Sequence, residues 1–165
     1  MIKQIIDYKG KEVELVWHDD TNFESLTNIT QVYSFCFNDK GEILIISLDG
    51  RNWSLPGGSP EKEDSSYEQT LIREVLEEGD CELGKIIRLG YQNSVFIGKS
   101  DSEHQQLRYV AKIKRIKKQS RDPAYGKILK RKFIKPEEFL NYCPWNEIGE
   151  HMIKKAVMIW KGSLK

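Results

Sequence analysis

Cysteine and proline are scarce in this chain of 165 residues, at three and five, and neither charge sign prevails, with 26 Lys and Arg against 25 Asp and Glu. The cysteines (Cys36, Cys81, Cys143) are odd in number, far apart and in no C-x-x-C pair. That excludes a disulfide framework and a structural zinc site. Cys36 and Cys81 sit in apolar segments, where small buried thiols are expected, and a reducing cytoplasm suits them. No apolar run approaches the ~20 residues of a membrane-spanning helix. The first fifteen residues carry Lys but no continuous apolar stretch, so a secretory leader is not expected. Repeats, low-complexity tracts and long linkers are missing too. The balanced charge supplies no global field toward nucleic acid or an acidic membrane. What remains is a length suited to one domain with a real core, spanning residues 1–165.

Lys11–Trp17 alternates Val13, Leu15 and Trp17 with charged neighbours, as a half-buried strand does. Residues 18–30 are polar and turn-rich. Gln31–Phe37 and Glu42–Leu48 flank Asn38-Asp39-Lys40-Gly41, which predicts a hairpin. Its second strand includes Ile43-Leu44-Ile45-Ile46, with no polar face, so it should be covered on both sides. A helix is predicted over Ser66–Glu78, capped by Ser66 with Gln69 three residues on or, one residue earlier, by Ser65 with Glu68, and stopped by Gly79. Further strands are expected around Lys85–Ile97, Leu107–Ile116 and Lys132–Ile134. A brief helix opens at Pro136, and an amphipathic one spans Glu147–Trp160. Hairpins precede the first long helix, which favours a mixed sheet between helices over a doubly wound parallel one.

The helix Ser66–Glu78 concentrates the chemistry. At about 100° per residue, Leu71, Ile72, Val75 and Leu76 form one apolar face, while Glu74, Glu77 and Glu78 share a separate arc. Carboxylates spaced i, i+3, i+4 repel one another. A hard divalent cation, which prefers oxygen ligands, reverses the sign. Arg73 lies beside this arc, four residues before Glu77. Upstream, Pro56-Gly57-Gly58 follows a buried strand and lets backbone approach a ligand or the helix closely.

With these residues in place, the chain resembles the Nudix hydrolases, whose signature is G-x5-E-x7-R-E-U-x-E-E-x-G-U with U a bulky apolar residue. Gly58 is similar to its first Gly, and Arg73-Glu74-Val75-Leu76-Glu77-Glu78 matches its core unbroken. Two departures stand out. One extra residue separates Gly58 from Arg73, so the first Glu has no clean equivalent among Glu63, Asp64 and Ser65. The Gly that ends the helix also comes one position early, as Gly79-Asp80. The resemblance implies an α/β/α sandwich with a mixed central sheet, and a Mg²⁺-dependent hydrolase with Mn²⁺ as a substitute. It would cleave a nucleoside diphosphate linked to another group. Glu74, Glu77 and Glu78 would be metal ligands and catalytic residues, and Arg73 would orient a motif carboxylate. Gly57 and Gly58 would approach the substrate.

Outside the motif, Ser100–Tyr109 is a polar segment running into a strand. The resemblance makes Glu103 the candidate base, with His104 as rival. Trp53, Phe35 and Tyr33 are candidates for stacking on a base. Residues 61–82 carry a net −7, while 108–135 carry twelve Lys/Arg and one acid, a net +11. Within the basic segment Arg108 and Arg115 are the expected phosphate clamps. A nucleotide-type small molecule is the expected partner. RNA is a less favoured one, with 5′-end pyrophosphohydrolysis as the corresponding alternative activity. A Nudix-fold binding or regulatory protein without hydrolysis is the other alternative. Exposed strand edges in the N-terminal hairpins are compatible with a homodimer.

Overall fold

The computed structural model describes residues 1–99 and 103–165. The first three positions of the segment Ser100–Tyr109 thus lie outside the described residues. The chain runs β1 (Ile2–Tyr8), β2 (Lys11–His18), β3 (Ile29–Phe37), β4 (Ile43–Ser47), β5 (Gly57–Gly58), α1 (Tyr67–Gly79), β6 (Cys81–Phe96), β7 (His104–Ile116) and β8 (Lys130–Ile134). A 3₁₀ turn over Pro136–Glu138 leads into α2 (Phe139–Tyr142). Then α3 (Asn146–Ile159) ends in a π-helical turn over Trp160–Leu164.

The strands form one mixed sheet in the order β1-β2-β6-β7-β3-β4-β8, with β5 attached to β3. Among the described residues, only β3 and β7 pair in parallel. Helix α1 covers one face and α2 with α3 the other, giving the expected α/β/α sandwich. The uniformly apolar β4 is what joins the layers. Ile43 and Ile45 pack with Phe35, Phe139 and Met152 toward α3, while Leu44 and Ile46 pack with Leu71 and Val75 under α1. All four are buried. The Asn38–Gly41 turn closes through its own chemistry. Asn38 Oδ1 accepts from the Lys40 and Glu42 amides at 3.0 Å each, and Gly41 takes φ 78°.

Several boundaries differ from the sequence expectation. Strand β1 is additional: it pairs with β2 across Lys9–Gly10, both at positive φ, a two-residue hairpin written without the usual Asn-Gly. Strand β6 starts at Cys81, directly after the helix, and β7 at His104. Gly79 is the last helical residue, and the left-handed cap is Asp80 at φ 48°. Gly79 is required for packing instead, because a Cβ there would meet Leu44 Cδ2 at 2.8 Å. Leu76, expected on the apolar face, is 36% exposed, since α1 seats on the sheet through Leu71, Val75 and Gly79. All three cysteines are free and buried, Cys36 and Cys81 as expected and Cys143 in addition, and burial pushes the Cys36 thiol up to about 12. Among the described residues no helix is long and apolar enough to cross a membrane.

This seating is open to a paired test. Leu71→Ala should cost about 2–5 kcal/mol in urea unfolding, as buried leucines do, and Leu76→Ala less than about 1 kcal/mol. Equal losses would show that the helix presents a different face.

Candidate active site

The carboxylate end of α1 meets the Gly57–Gly58 strand at a cavity of about 500 Å³. Ser66 starts the helix, its Oγ accepting the Gln69 amide at 3.2 Å, so the sequence fixes where the carboxylates fall along it. Strand β5 pairs with Val32 and Tyr33 of β3. Gly57 is sterically required, and Gly58 gives the Glu74 carboxylate its place. A Cβ on Gly57, at φ 147°, would strike the Val32 carbonyl, and one on Gly58 would strike the Glu74 carboxylate. In return the backbone serves the site, as the Gly57 amide donates to Glu78 Oε2 at 2.8 Å.

Arg73 organises the loop. Its Nε and Nη2 donate to the two oxygens of Asp64 at 3.1 and 2.9 Å, and Nη2 also donates to the Ser59 carbonyl at 3.0 Å. Nη1 reaches Glu74 at 2.8 Å and Glu77 at 3.4 Å. Of the three positions left open by the extra residue, Asp64 is the one that pairs with Arg73, and the guanidinium holds its carboxyl well below the usual range.

Burial raises the Glu78 carboxyl to about 8 against the pull of the Gly57 amide, with Glu74, Asp122 and Glu77 adding repulsion. Glu74 and Glu77 are raised as well, each chiefly by burial, with Arg73 opposing. Among the described residues no three carboxylates already converge at coordinating distance. The donor chemistry nevertheless fits a hard divalent cation, because all the ligating atoms are oxygens and their mutual repulsion is what a cation relieves.

The structure also brings in a residue that the sequence reading passed over. Asp122, the single acid of the basic segment, is 2% exposed and lines this cavity with Glu74, Glu78 and Glu61. Its isolation among twelve basic residues was the available signal. Asp80 secures the loop that carries it. Asp80 Oδ1 accepts the Ser120 hydroxyl at 2.6 Å, and Oδ2 accepts the Ser120 amide at 2.9 Å. Arg131 ties the same region to the helix end by donating to the Gly79 carbonyl at 2.8 Å.

The remaining candidates are dispersed. Glu103 is exposed, held by its carbonyl to Asn28 Nδ2, and does not line the carboxylate cavity. His104 lines a different cavity, together with Arg108. Arg108 is buried, not a surface clamp, whereas Arg115 is exposed beside Glu82. Phe35 is wholly buried core and so cannot stack on a ligand. Trp53 packs edge-on to Tyr142 at 5.9 Å, with Lys132 over its ring at 4.9 Å, outside the carboxylate cavity. Tyr33 lines both cavities.

A family model described as the NUDIX domain matches residues 27–156. The chain belongs to the Nudix family. Hydrolysis of phosphorus-containing acid anhydrides is the activity this membership supports. No curated protein matches the chain significantly. Among solved structures, the Nudix chain is similar to a mutant of the Bacillus subtilis pyrophosphohydrolase BsRppH, at 21% identity over 100% of both chains and a TM-score of 0.71. It is also similar to a MutT structure from work on Aliivibrio salmonicida and Vibrio cholerae, at 20% identity over 78% of this chain and 94% of that one, TM-score 0.53. A third is the Nudix domain of Shewanella oneidensis NrtR in complex with ADP ribose, at 19% identity over 79% of this chain and 86% of that one, TM-score 0.58. These likenesses bear on the fold.

The raised Glu78 carboxyl has a measurable consequence in the metal-free protein. Folding disfavours its ionised form, so the stability it allows below about pH 4.5 is lost as pH rises toward about 8. Glu78→Gln in EDTA should therefore melt higher than wild type at pH 8, by at least about 3 °C, and the gap should shrink toward pH 4.5. A gap independent of pH would contradict the assigned burial.

Proposed function

We propose that residues 1–165 form a single Nudix hydrolase unit that uses Mg²⁺, or Mn²⁺ in its place, to cleave the diphosphate linkage of a nucleoside diphosphate joined to another group. The observation that carries this reading is the meeting of Glu74 and Glu78 with the side-chain-free Gly57–Gly58 backbone in one cavity, with Glu77 beside them on α1. Glu74, Glu77 and Glu78 would hold the metal, which when bound neutralises diphosphate oxygens and lowers the pKa of an attacking water. Arg73 keeps Glu74 and Glu77 in place while anchoring the loop through Asp64. Gly57 and Gly58 leave room for phosphate oxygens against the backbone.

A second reading, removal of pyrophosphate from an RNA 5′ end, is favoured by one observation. The loop supplying Asp122 and Tyr125 to the cavity also carries exposed Lys118, Arg121 and Lys127. That reading predicts a steep salt dependence, because each phosphate contact releases a counterion. It also predicts faster turnover of 5′-triphosphate RNA than of the free nucleotide.

A panel of nucleoside triphosphates, nucleotide sugars, ADP-ribose and dinucleoside polyphosphates, resolved by chromatography, should reveal a Mg²⁺-dependent substrate. Glu77→Gln and Glu78→Gln should each lower its turnover by more than the ~10–100-fold typical of groups behind the ligands. Full activity in both variants would rule out these ligands. Thermal stabilisation by nucleotide in Mg²⁺, with no product from any member of the panel, would instead indicate a binding protein.

A further inference from the structure

The α3 face of the sheet opens into a second cavity, of about 390 Å³, which strand register builds. Pairing aligns Trp17, Gln92, Gln106 and Gln31 in one row across β2, β6, β7 and β3, and sets Arg108 beside Tyr33 in the next. Ile6 and Leu15 of the N-terminal hairpin form one wall, and Trp145 and Asn146 at the start of α3 form another. The hairpin precedes residue 27, where the family match begins, so that wall lies outside the matched domain.

Arg108 determines what the cavity takes. It is 4% exposed, and among the described residues no Asp or Glu lines the cavity and no carboxylate pairs with it. Of its five N–H groups, one on Nη1 donates to the Leu107 carbonyl at 3.2 Å and one on Nη2 to Gln106 Oε1 at 2.8 Å, while Nε has no partner among the described residues. Its guanidinium lies 4.7 Å from the Tyr33 ring and 5.7 Å from that of Trp145. Gln106 is itself oriented, because its Nε2 donates to Gln31 Oε1 at 3.0 Å and leaves Oε1 facing Arg108. A buried cation without a carboxylate is costly, and burial pulls this guanidinium down to about 10. Donors of this kind, held between aromatic rings, call for a ligand that brings acceptors.

The walls decide which acceptor. A phosphate would answer the guanidinium but leave Ile6, Leu15, Tyr33 and Trp145 against an anion. A planar base offers apolar faces to the rings and acceptors at its edge. Guanine presents O6 and N7 side by side, the pair that an arginine reads with two N–H groups. Adenine would set its N6 amino donor against a group that can only donate. Gln92 and Asn146 supply amide oxygens for the donors on guanine's other edge.

We propose that this cavity is a guanine site read by Arg108, which makes guanine nucleotides the substrate class. The link to substrate rests on the function proposed above. Tyr33 and Ser54 line both cavities, so a base held here leaves its phosphates on the side of Glu74 and Glu78.

The test uses binding alone. The ¹⁵N-labelled protein in EDTA is titrated with the 5′-monophosphates of guanosine, inosine, 7-deazaguanosine and adenosine, following the Trp145 indole N–H. Guanosine and inosine monophosphates should bind about tenfold or more tightly than the adenosine and 7-deazaguanosine compounds, the lower range of discrimination for one bidentate arginine. Arg108→Gln should abolish that preference, and the ligand series decides the matter in wild type should the variant not fold. Equal affinity for guanosine and adenosine monophosphates, indifference to loss of N7, no binding up to 10 mM on the order expected for a lone base, or an intact preference in Arg108→Gln would each overturn the proposal. None of these ligands has a diphosphate to cleave and no metal is present. Guanine preference in a protein that hydrolyses nothing would therefore fail the proposed function alone, and hydrolysis without base preference would fail this inference alone.

Discussion

Arg73 is the interaction on which the site depends. One side chain, 21% exposed, binds Asp64, Glu74, Glu77 and the Ser59 carbonyl, and so fixes loop, helix and carboxylates in a single arrangement. Its position on α1 follows from the Ser66 cap, and the depth of α1 follows from Leu71, Val75 and the close approach of Gly79 to Leu44. The carboxylates are thus crowded by the fold itself. Glu74 is pressed against Gly58, and Glu78 is buried against the Gly57 amide. Positive charge from Arg73 offsets part of the repulsion. Burial, with repulsion from Glu74, Asp122 and Glu77 added, raises Glu78, and a bound cation would relieve both.

The departures from the family pattern have physical accounts in the structure. The extra residue between Gly58 and Arg73 is absorbed without loss of the anchor, because Asp64 still reaches the guanidinium with both oxygens. Asp80, standing at the helix end in a left-handed conformation that glycine adopts more readily, uses its side chain to grip Ser120. The grip holds the loop that brings Asp122 to the carboxylates and Tyr125 to the cavity rim. The balance of charge in the composition is the sum of two opposed regions, and this loop is where they meet.

Much of this was legible in the sequence because it is periodic or local. The β4 run, the Asn38–Gly41 turn, the Ser66 cap and the carboxylate arc each declare themselves within a dozen residues. What was not legible depends on partners distant in sequence. The exposure of Leu76 is set by how α1 tilts on a sheet whose strands come from both ends of the chain. Strand β1 exists because β2 offers it an edge. Asp122 and Arg108 look like members of one basic run, yet one is drawn into the acidic cavity, and the other is buried beside Tyr33 by the parallel pairing of β7 with β3. Spacing along the chain carries no trace of that pairing.

Glu74, Glu77 and Glu78 would thus form one cation site held in shape by the glycine strand and Arg73. Titration of Mn²⁺ into the protein, with free ion measured by electron paramagnetic resonance, tests it most directly. Mn²⁺ should bind at a saturable site from which Mg²⁺ displaces it, and Glu74→Gln, Glu77→Gln and Glu78→Gln should each weaken that binding by about tenfold or more, as loss of a charged ligand does. Mn²⁺ binding of unchanged affinity in all three variants would contradict it.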